Sequence, residues 1–407
     1  MFKKRFIITV LNLSILIAIF SSCQKGEKKE GIVSKSEEAI NKLYSEHPSY
    51  ALYAVEVIKD VPSPFAVDLI HRALEGTNWD SKMAAIRAVR ERKDRTAIPI
   101  LKKIYSEGVE VDKVAAALSL ARMGDEDVIP FLEEKAVEAG GVLNPEVIIF
   151  LTGRGNESFL PALKKKLESK SIDERNEVYI LLGRIKKPWA LDILKEAFKK
   201  EWGVNLREPI VAIGKVGGPS EAKLITPYIN TQGLSLETMS ALGSLKDEGT
   251  REELKKFLKH EKKYARLYSA AALWRMGEKN VNRVIEELMQ DSDPAFKGEM
   301  AEQLSRVEDP NVLPYLGALA SDPDEKVRKV ALRNLKERMD PALIKILLDG
   351  INDTNYEAAV IAIDGVGKVG ERDSIPQLEP LLSSENPYIV ISAAAAIIEM
   401  AARHPLK

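Results

Sequence analysis

The feature that most constrains this chain is a 31-residue period in its apolar positions. Aligned on the apolar residue late in each second helix, the anchors are Ile58, Val89, Leu120, Leu151, Leu182, Ile213, Leu242, Leu273, Leu304, Leu335, Val366 and Ile397. Their spacing is 31 residues, except for 29 between Ile213 and Leu242. A second marker keeps the register: Pro99, Pro130 and Pro161 lie 31 residues apart, and Pro314 and Pro376 lie two periods apart. Proline is tolerated in a first helical turn because its missing N–H would be unpaired there anyway. A fixed period of this length marks a repeat architecture. One short unit cannot bury its apolar face alone, and stacking its neighbours makes a continuous core. Twelve such repeats account for residues 36–407.

Within a repeat the apolar spacing is helical: Val111, Val114, Ala115, Leu118 and Ala121 follow three- and four-residue steps. The period has room for two helices and two tight turns. Gly124-Asp125, Gly155-Asn156, Gly217-Gly218, Gly277-Glu278 and Gly370-Glu371 close successive second helices. Asp322-Pro323-Asp324, Asp291-Ser292-Asp293-Pro294 and Glu385-Asn386-Pro387 separate first from second helices. No stretch of strand length alternates with period two, so no sheet is expected.

The repeat resembles a short HEAT repeat of the phycobilin-lyase type. The clearest match runs from Asp322-Pro323-Asp324 through Val327-Arg328 and Ala331 to Leu335. Lys82, Lys113, Arg175, Arg266, Lys297 and Arg328 hold the basic position seven before their anchors. In the family that residue pairs with an Asp of the turn, so the resemblance implies a partial ladder of such pairs. It implies an all-α fold, a right-handed α-solenoid of about twelve helix-pair repeats. An arc on the order of 100 Å is expected from helices ~8–10 Å apart, with no enclosed pocket. The C-terminal repeat is expected to be exposed, with Ala401 to Pro405 as its cap.

The N-terminus reads as an address. Lys3, Lys4 and Arg5 precede a mostly apolar run from Phe6 to Phe20. A helix of that length covers roughly 22 Å, short of the ~30 Å hydrocarbon core, which suits a signal peptide better than a membrane span. Phe20-Ser21-Ser22-Cys23 resembles a bacterial lipoprotein signal, with Phe20 in place of the usual Leu. This implies residues 1–22 as signal peptide, lipidation of Cys23, and export of the remainder. Residues 23–35 read as a lipidated polar tether, and residues 36–407 as the solenoid. Gln24 replaces the Asp associated with inner-membrane retention, so the resemblance implies a lipid-anchored protein of the outer membrane in the bacterial cell envelope. An ordinary secretory signal with an incidental Cys, or an uncleaved anchor, is the plainer alternative.

Composition closes other routes. Lys plus Arg number 60 and Asp plus Glu 61, a formal charge of −1, which argues against a nucleic-acid binder. The single Cys leaves no disulfide framework, and His47, His71, His260 and His404 are too scattered for a His-rich metal centre. No Gly-rich phosphate loop follows a strand. No catalytic residue, cofactor or metal site is expected.

A partner is instead expected on the helix face opposite the anchors, at positions −9, −5, −2 and +2. Leu118, Ile149, Ile180 and Val211 make an apolar stripe at −2. An acidic row at −5 holds Glu146, Glu177, Glu208, Glu237 and Glu299. A basic row at +2 holds Arg122, Arg184, Lys215, Arg275, Arg306 and Lys368. Tyr264, Tyr268 and Arg275 share this face beside Trp274, and Tyr and Arg are enriched at binding hot spots. A groove of this kind accepts an amphipathic helix or an extended peptide. Packing between repeats and solvated charges, worth at most ~1 kcal/mol per exposed pair, are the plainer readings of the same rows. Trp189 and Trp202 read as packing residues. The expected function is a non-enzymatic scaffold that binds a protein or peptide, with no nucleic acid. The alternatives are a lyase- or chaperone-like binder of a small amphiphile, and a mechanical spacer.

Overall fold

The computed structural model describes residues 31–138 and 141–404. Within these, helices follow one another as twelve pairs, with short 3-10 turns opening or ending many first helices. No strand occurs among the described residues, and one isolated bridge joins Val137 and Leu143. The second helices are α1 (Pro48–Ile58), α2 (Trp79–Arg92), α3 (Glu110–Arg122), α4 (Pro145–Gly153), α5 (Ile172–Leu182) and α6 (Arg207–Val216). The series continues with α7 (Ser235–Leu245), α8 (Lys263–Arg275), α9 (Pro294–Ser305), α10 (Glu325–Arg338), α11 (Tyr356–Val369) and α12 (Pro387–Arg403). Each carries one of the twelve anchors, and every anchor has 0% of its surface exposed.

The predicted punctuation is present. Pro130, Pro161, Pro314 and Pro376 stand in the first turns of their helices. Asn144, Ser171, Asp293, Asn355 and Asn386 cap second helices by accepting backbone N–H groups. Gly277 takes a left-handed φ of 86°, and Glu278 N–H then bonds back to Leu273 O at 2.9 Å. Gly217 closes α6 at negative φ instead. A side chain there would meet Ile213 O at 2.7 Å. The basic ladder is partial. Lys297 Nζ reaches Asp322 Oδ2 of the next turn at 2.7 Å, and Arg175 Nε reaches Glu201 Oε1 at 2.5 Å. Arg328 Nη1 donates to Asp322 O within its own turn at 2.9 Å. Arg266 Nε is buried without a partner.

Contacts divide the chain into two compact units. One comprises residues up to Ile100 and from Leu335; the other comprises Leu101–Asn334. In the first, α1 and α12 pack together, which corrects the expectation of a free C-terminal repeat. Tyr53 OH and Ser392 Oγ are 2.6 Å apart, and Tyr388 meets the Tyr50 and Tyr53 rings edge-on at 5.5 and 5.1 Å. The reason is composition: α12 is apolar around most of its circumference, with Val390, Ile391, Ala394, Ile397, Ile398 and Met400 all buried. One neighbouring repeat cannot cover so wide a face. The other end differs as well. Residues 31–46 are helical, so helix is already present five residues before the expected boundary at 36. Ile32 and Ser36 are buried there, and Ser36 Oγ donates to Ile32 O at 2.8 Å. Cys23 and the proposed signal peptide lie outside the described residues.

Glu399 sits near this end-to-end contact. It lies 3.9 Å from Arg403 Nε, in the field of Asp364, Lys368 and Asp60. Burial, with Asp364 and Asp60, outweighs the two cations and raises its pKa from 4.5 to about 7. A raised carboxylate binds its proton more tightly when folded, so its contribution is fully present below the unfolded value and is lost as pH rises towards 7. Chemical-denaturation midpoints should therefore fall between pH 4.5 and about 7 in the parent and fall less in Glu399→Gln.

Candidate functional site

Small residues set the spacing of α6, α7 and α8, which with α9 lie within the second compact unit. The residue just after one anchor faces the residue just before the next. A Cβ placed on Gly214 would stand 2.6 Å from Ala241 Cβ, and one placed on Gly243 would stand 2.6 Å from Ala272 Cα. Only glycine permits helix backbones this close. The inner faces are drawn in far enough for contacts to skip a repeat. Arg306 Nη1 donates to Ser240 Oγ at 3.3 Å across 66 residues, and Lys246 Nζ lies 3.8 Å from Glu308.

A recess of about 330 Å³ results. Arg207, Val211 and Lys215 of α6, Glu237, Ser240 and Ser244 of α7, and Tyr268 of α8 line one side. Glu299, Glu302, Gln303 and Arg306 line the other. Most of the charges are matched. Arg207 Nε holds Glu237 Oε1 at 2.8 Å, and Arg306 Nη2 holds Glu302 Oε1 at 2.5 Å. Glu299 Oε1 accepts from Tyr268 OH at 2.7 Å and from Gln303 Nε2 at 2.9 Å. Burial, with that carboxylate beside it, pushes the Tyr268 hydroxyl pKa up.

Two cations remain without a carboxylate. Lys215 is exposed at the recess, with no ion pair. Arg275 donates only to neutral oxygens: Ser244 Oγ at 3.2 Å, Ser240 O at 3.1 Å and Ala271 O at 3.4 Å. Burial and the nearby Arg306 charge lower its pKa to about 10. Beside them, Gln303 is 2% exposed, and its Oε1 has no partner. The arrangement is short of negative charge around Arg275 and Lys215. It suits a carboxylate brought by another molecule.

The structure disperses some of the expected residues. Leu118 is 3% exposed and belongs to the core, Ile149 and Val211 are half-buried, and Ile180 is 49% exposed. The apolar stripe is thus not one uniform face. In the acidic row, Glu146 is exposed, Glu177 pairs with Lys166 of its own first helix, and Glu208 is half-buried. Glu237 and Glu299 are the members of that row that line the recess. Tyr264 and Tyr268 face different spaces. Tyr264 packs edge-on to Phe296 at 5.0 Å and lines a second recess of about 740 Å³, with Leu236, Phe257, His260 and Lys263. Arg207 and Glu237 border both recesses. Trp189 packs on Phe159 as expected, and Trp274 packs on Tyr315. Trp202 does not: it is 77% exposed, on a turn that leaves the stacked helices behind.

Arg207 and Gln303 lay outside the expected positions, whereas Ser240 and Ser244 stand at −2 and +2 from Leu242 but are neither apolar nor charged. Gln303 carried a signal, because it stands just before its anchor, where neighbouring repeats have Ala212, Ala241 and Ala272. A polar residue at a packed position asks for a purpose. Arg207 carried none, since its partner Glu237 is a whole repeat away.

Family comparisons agree with this architecture. Residues 251–336 and 281–359 match the family model described as HEAT repeats. These are HEAT repeats. Residues 112–136 match the PBS lyase HEAT-like repeat. No curated protein matches the chain. Among solved structures, an engineered protein is 17% identical, with 90% of this chain and 98% of that chain covered at a TM-score of 0.32. Human deoxyhypusine hydroxylase in complex with glycerol is 14% identical, covering 61% of this chain and 98% of that one at 0.30. The CpcE–CpcF complex of phycocyanin lyase from Nostoc is 15% identical, covering 81% and 92% at 0.21. At these values the three likenesses decide nothing about the activity of the HEAT solenoid.

The seam between α7 and α8 makes a direct prediction. Gly243→Ala places a Cβ against Ala272 backbone, so the helices must part and stability should fall by about 1–3 kcal/mol. Gly298→Ala has nothing within 4 Å and should be neutral or gain up to about 1 kcal/mol. Urea unfolding midpoints of the two variants check both values.

Proposed function

We propose that this HEAT solenoid is a non-enzymatic scaffold that captures a protein or peptide in the recess between α6 and α9. The observation that carries the reading is the exposed, unpaired Lys215 in the recess, with Arg275 donating only to neutral oxygens of the lining residues Ser240 and Ser244 and of Ala271. An acidic side chain or a chain-terminal carboxylate of a partner would supply the missing charge. Arg207–Glu237 and Arg306–Glu302 at the borders would fix the partner's register more than its affinity, since exposed pairs contribute little. The scaffold is held in the bacterial cell envelope, at the outer membrane, by acyl chains on Cys23. The sequence Lys3-Lys4-Arg5, the apolar run and Ser21-Ser22-Cys23 support that placement. Several chains on one Cys would give stable anchoring where a single chain would not.

A photo-cross-linker at Ser244 in source cells tests the recess. One dominant protein adduct, lost in Lys215→Glu and retained in Glu177→Lys/Glu208→Lys, is expected. An adduct insensitive to Lys215→Glu would show that capture does not use the free cations. Cys23→Ala should move the protein from the membrane to the soluble fraction. Persistent membrane association would remove acylation as the anchor.

The second recess favours another reading, a binder of a small amphiphile. Leu236, Phe257 and Tyr264 give it a largely apolar lining, and Lys263 and Arg207 stand at its border. Mass spectrometry of an organic extract of the purified protein would reveal a stoichiometric small molecule if this reading holds.

A further inference from the structure

The first helices Leu160–Leu167 and Pro188–Phe198 belong to neighbouring repeats of the second compact unit, and a recess of about 490 Å³ lies between them. That size is within the roughly 300–1,000 Å³ of small-ligand sites. Leu167 and Ile193, both half-buried, give it apolar walls with Ala197, and the buried Tyr179 of α5 lies at its base. Trp202 stands at its edge with 77% of its surface exposed, more than any other large apolar residue described.

The turn that carries Trp202 is fixed from within. Glu201 accepts from Arg175 Nε at 2.5 Å and Nη2 at 3.2 Å, and from Tyr179 OH at 2.8 Å. Arg175 Nη1 donates to Ser169 O at 2.8 Å, so one guanidinium ties together the turns that follow the two helices. Gly203 takes a φ of 59° and turns the chain directly after the indole. Arg175 and Glu201 are thus engaged with each other, and their charges cancel. The remaining charges of the lining balance as well. Lys164 and Glu168 stand four residues apart on one wall, and Glu196 and Lys200 four residues apart on the other. All four are exposed, and none is in an ion pair. Lys165 and Lys199 are exposed nearby but do not line the recess.

We infer that this recess is a saccharide site: a neutral oligosaccharide lays the C–H face of one pyranose ring on the Trp202 indole, and its hydroxyls reach Lys164, Glu168, Glu196 and Lys200. The occupant follows from the charge balance and the lining. Two unpaired ammonium groups beside two unpaired carboxylates favour neither an anion nor a cation. They serve a ligand whose groups both donate and accept, and a hydroxyl does both. Hydrogen bonds from a neutral ligand to charged side chains are also the stronger kind. A flat indole and the flat C–H face of a sugar ring exclude water from each other. A wholly apolar ligand would strip water from four charges and return nothing. An extended peptide would find no sheet edge to pair with, because both walls are helices with their main-chain groups bonded internally. The inference depends on neither the recess between α6 and α9 nor acylation of Cys23.

The test uses the full chain, purified in a detergent that carries no sugar. It is titrated by calorimetry and by tryptophan fluorescence with neutral di- to tetrasaccharides of glucose, mannose, galactose and N-acetylglucosamine. At least one should bind with a Kd of about 1 mM or tighter. Its affinity should be unchanged as salt rises, because the ligand has no charge to screen. Trp202→Ala should weaken binding about tenfold or more. Glu196→Ala and Lys200→Ala should each weaken it about fivefold. Trp202→Phe should keep most of the calorimetric affinity while the fluorescence change disappears. These positions are exposed, so thermal midpoints should match the parent. No binding to any of these sugars overturns the inference. So does binding unchanged in Trp202→Ala, or affinity that falls steeply with salt, in which case a charged peptide becomes the better occupant.

Discussion

Each second helix meets the next through the residues flanking its buried anchor, and the size of those residues sets how closely the helices approach. Where they are Gly214 on Ala241 and Gly243 on Ala272, the backbones nearly touch. Where they are larger, as with Thr152 and Lys336, the same approach is not open. In a solenoid a sub-ångström change at one seam alters the angle of every repeat beyond it. The anchors hold the stack together, and the small residues decide where it bends.

The recess follows from that bend. Arg306 belongs to the ninth repeat and Ser240 to the seventh, so they meet only because the repeat between them is drawn in. The same crowding leaves Arg275 among neutral oxygens, with Arg306 as its charged neighbour. A cation in that position is costly unless something compensates it. That cost is what the proposed carboxylate of a partner would offset. Glu237, Glu299 and Glu302 are already committed to Arg207, Tyr268 with Gln303, and Arg306.

The first compact unit follows the same reasoning at the chain ends. A terminal repeat normally needs a polar outer face, because nothing stacks on it. Helix α12 lacks one, and α1 provides the cover, with Tyr50, Tyr53 and Tyr388 filling the contact. Ser392 is 2% exposed and finds its partner in Tyr53, far away in sequence. The opposite solution appears at the turn of residues 199–206. There Trp202 is left in solvent although Arg175, Tyr179 and Glu201 are tightly joined beneath it.

Sequence by itself determined the repeat. All twelve anchors and the helix-opening prolines follow local rules of period and hydrogen bonding, and stand where the spacing placed them. It also placed Arg275, Tyr268, Glu237 and Lys215 on the inward face, since a helix face is fixed by 100° steps. Only the tertiary structure decided which of these share a space. Tyr264 and Tyr268 are four residues apart yet line different recesses, and Glu177 turns back to Lys166 of its own repeat. Periodicity says nothing of such choices because they depend on how far apart successive helices stand. It was equally silent on Trp202, whose exposure depends on a left-handed Gly203, and on the meeting of α1 with α12. The contact of Arg306 with Ser240 across 66 residues is set by the angles between successive repeats, and no local pattern in the chain records them.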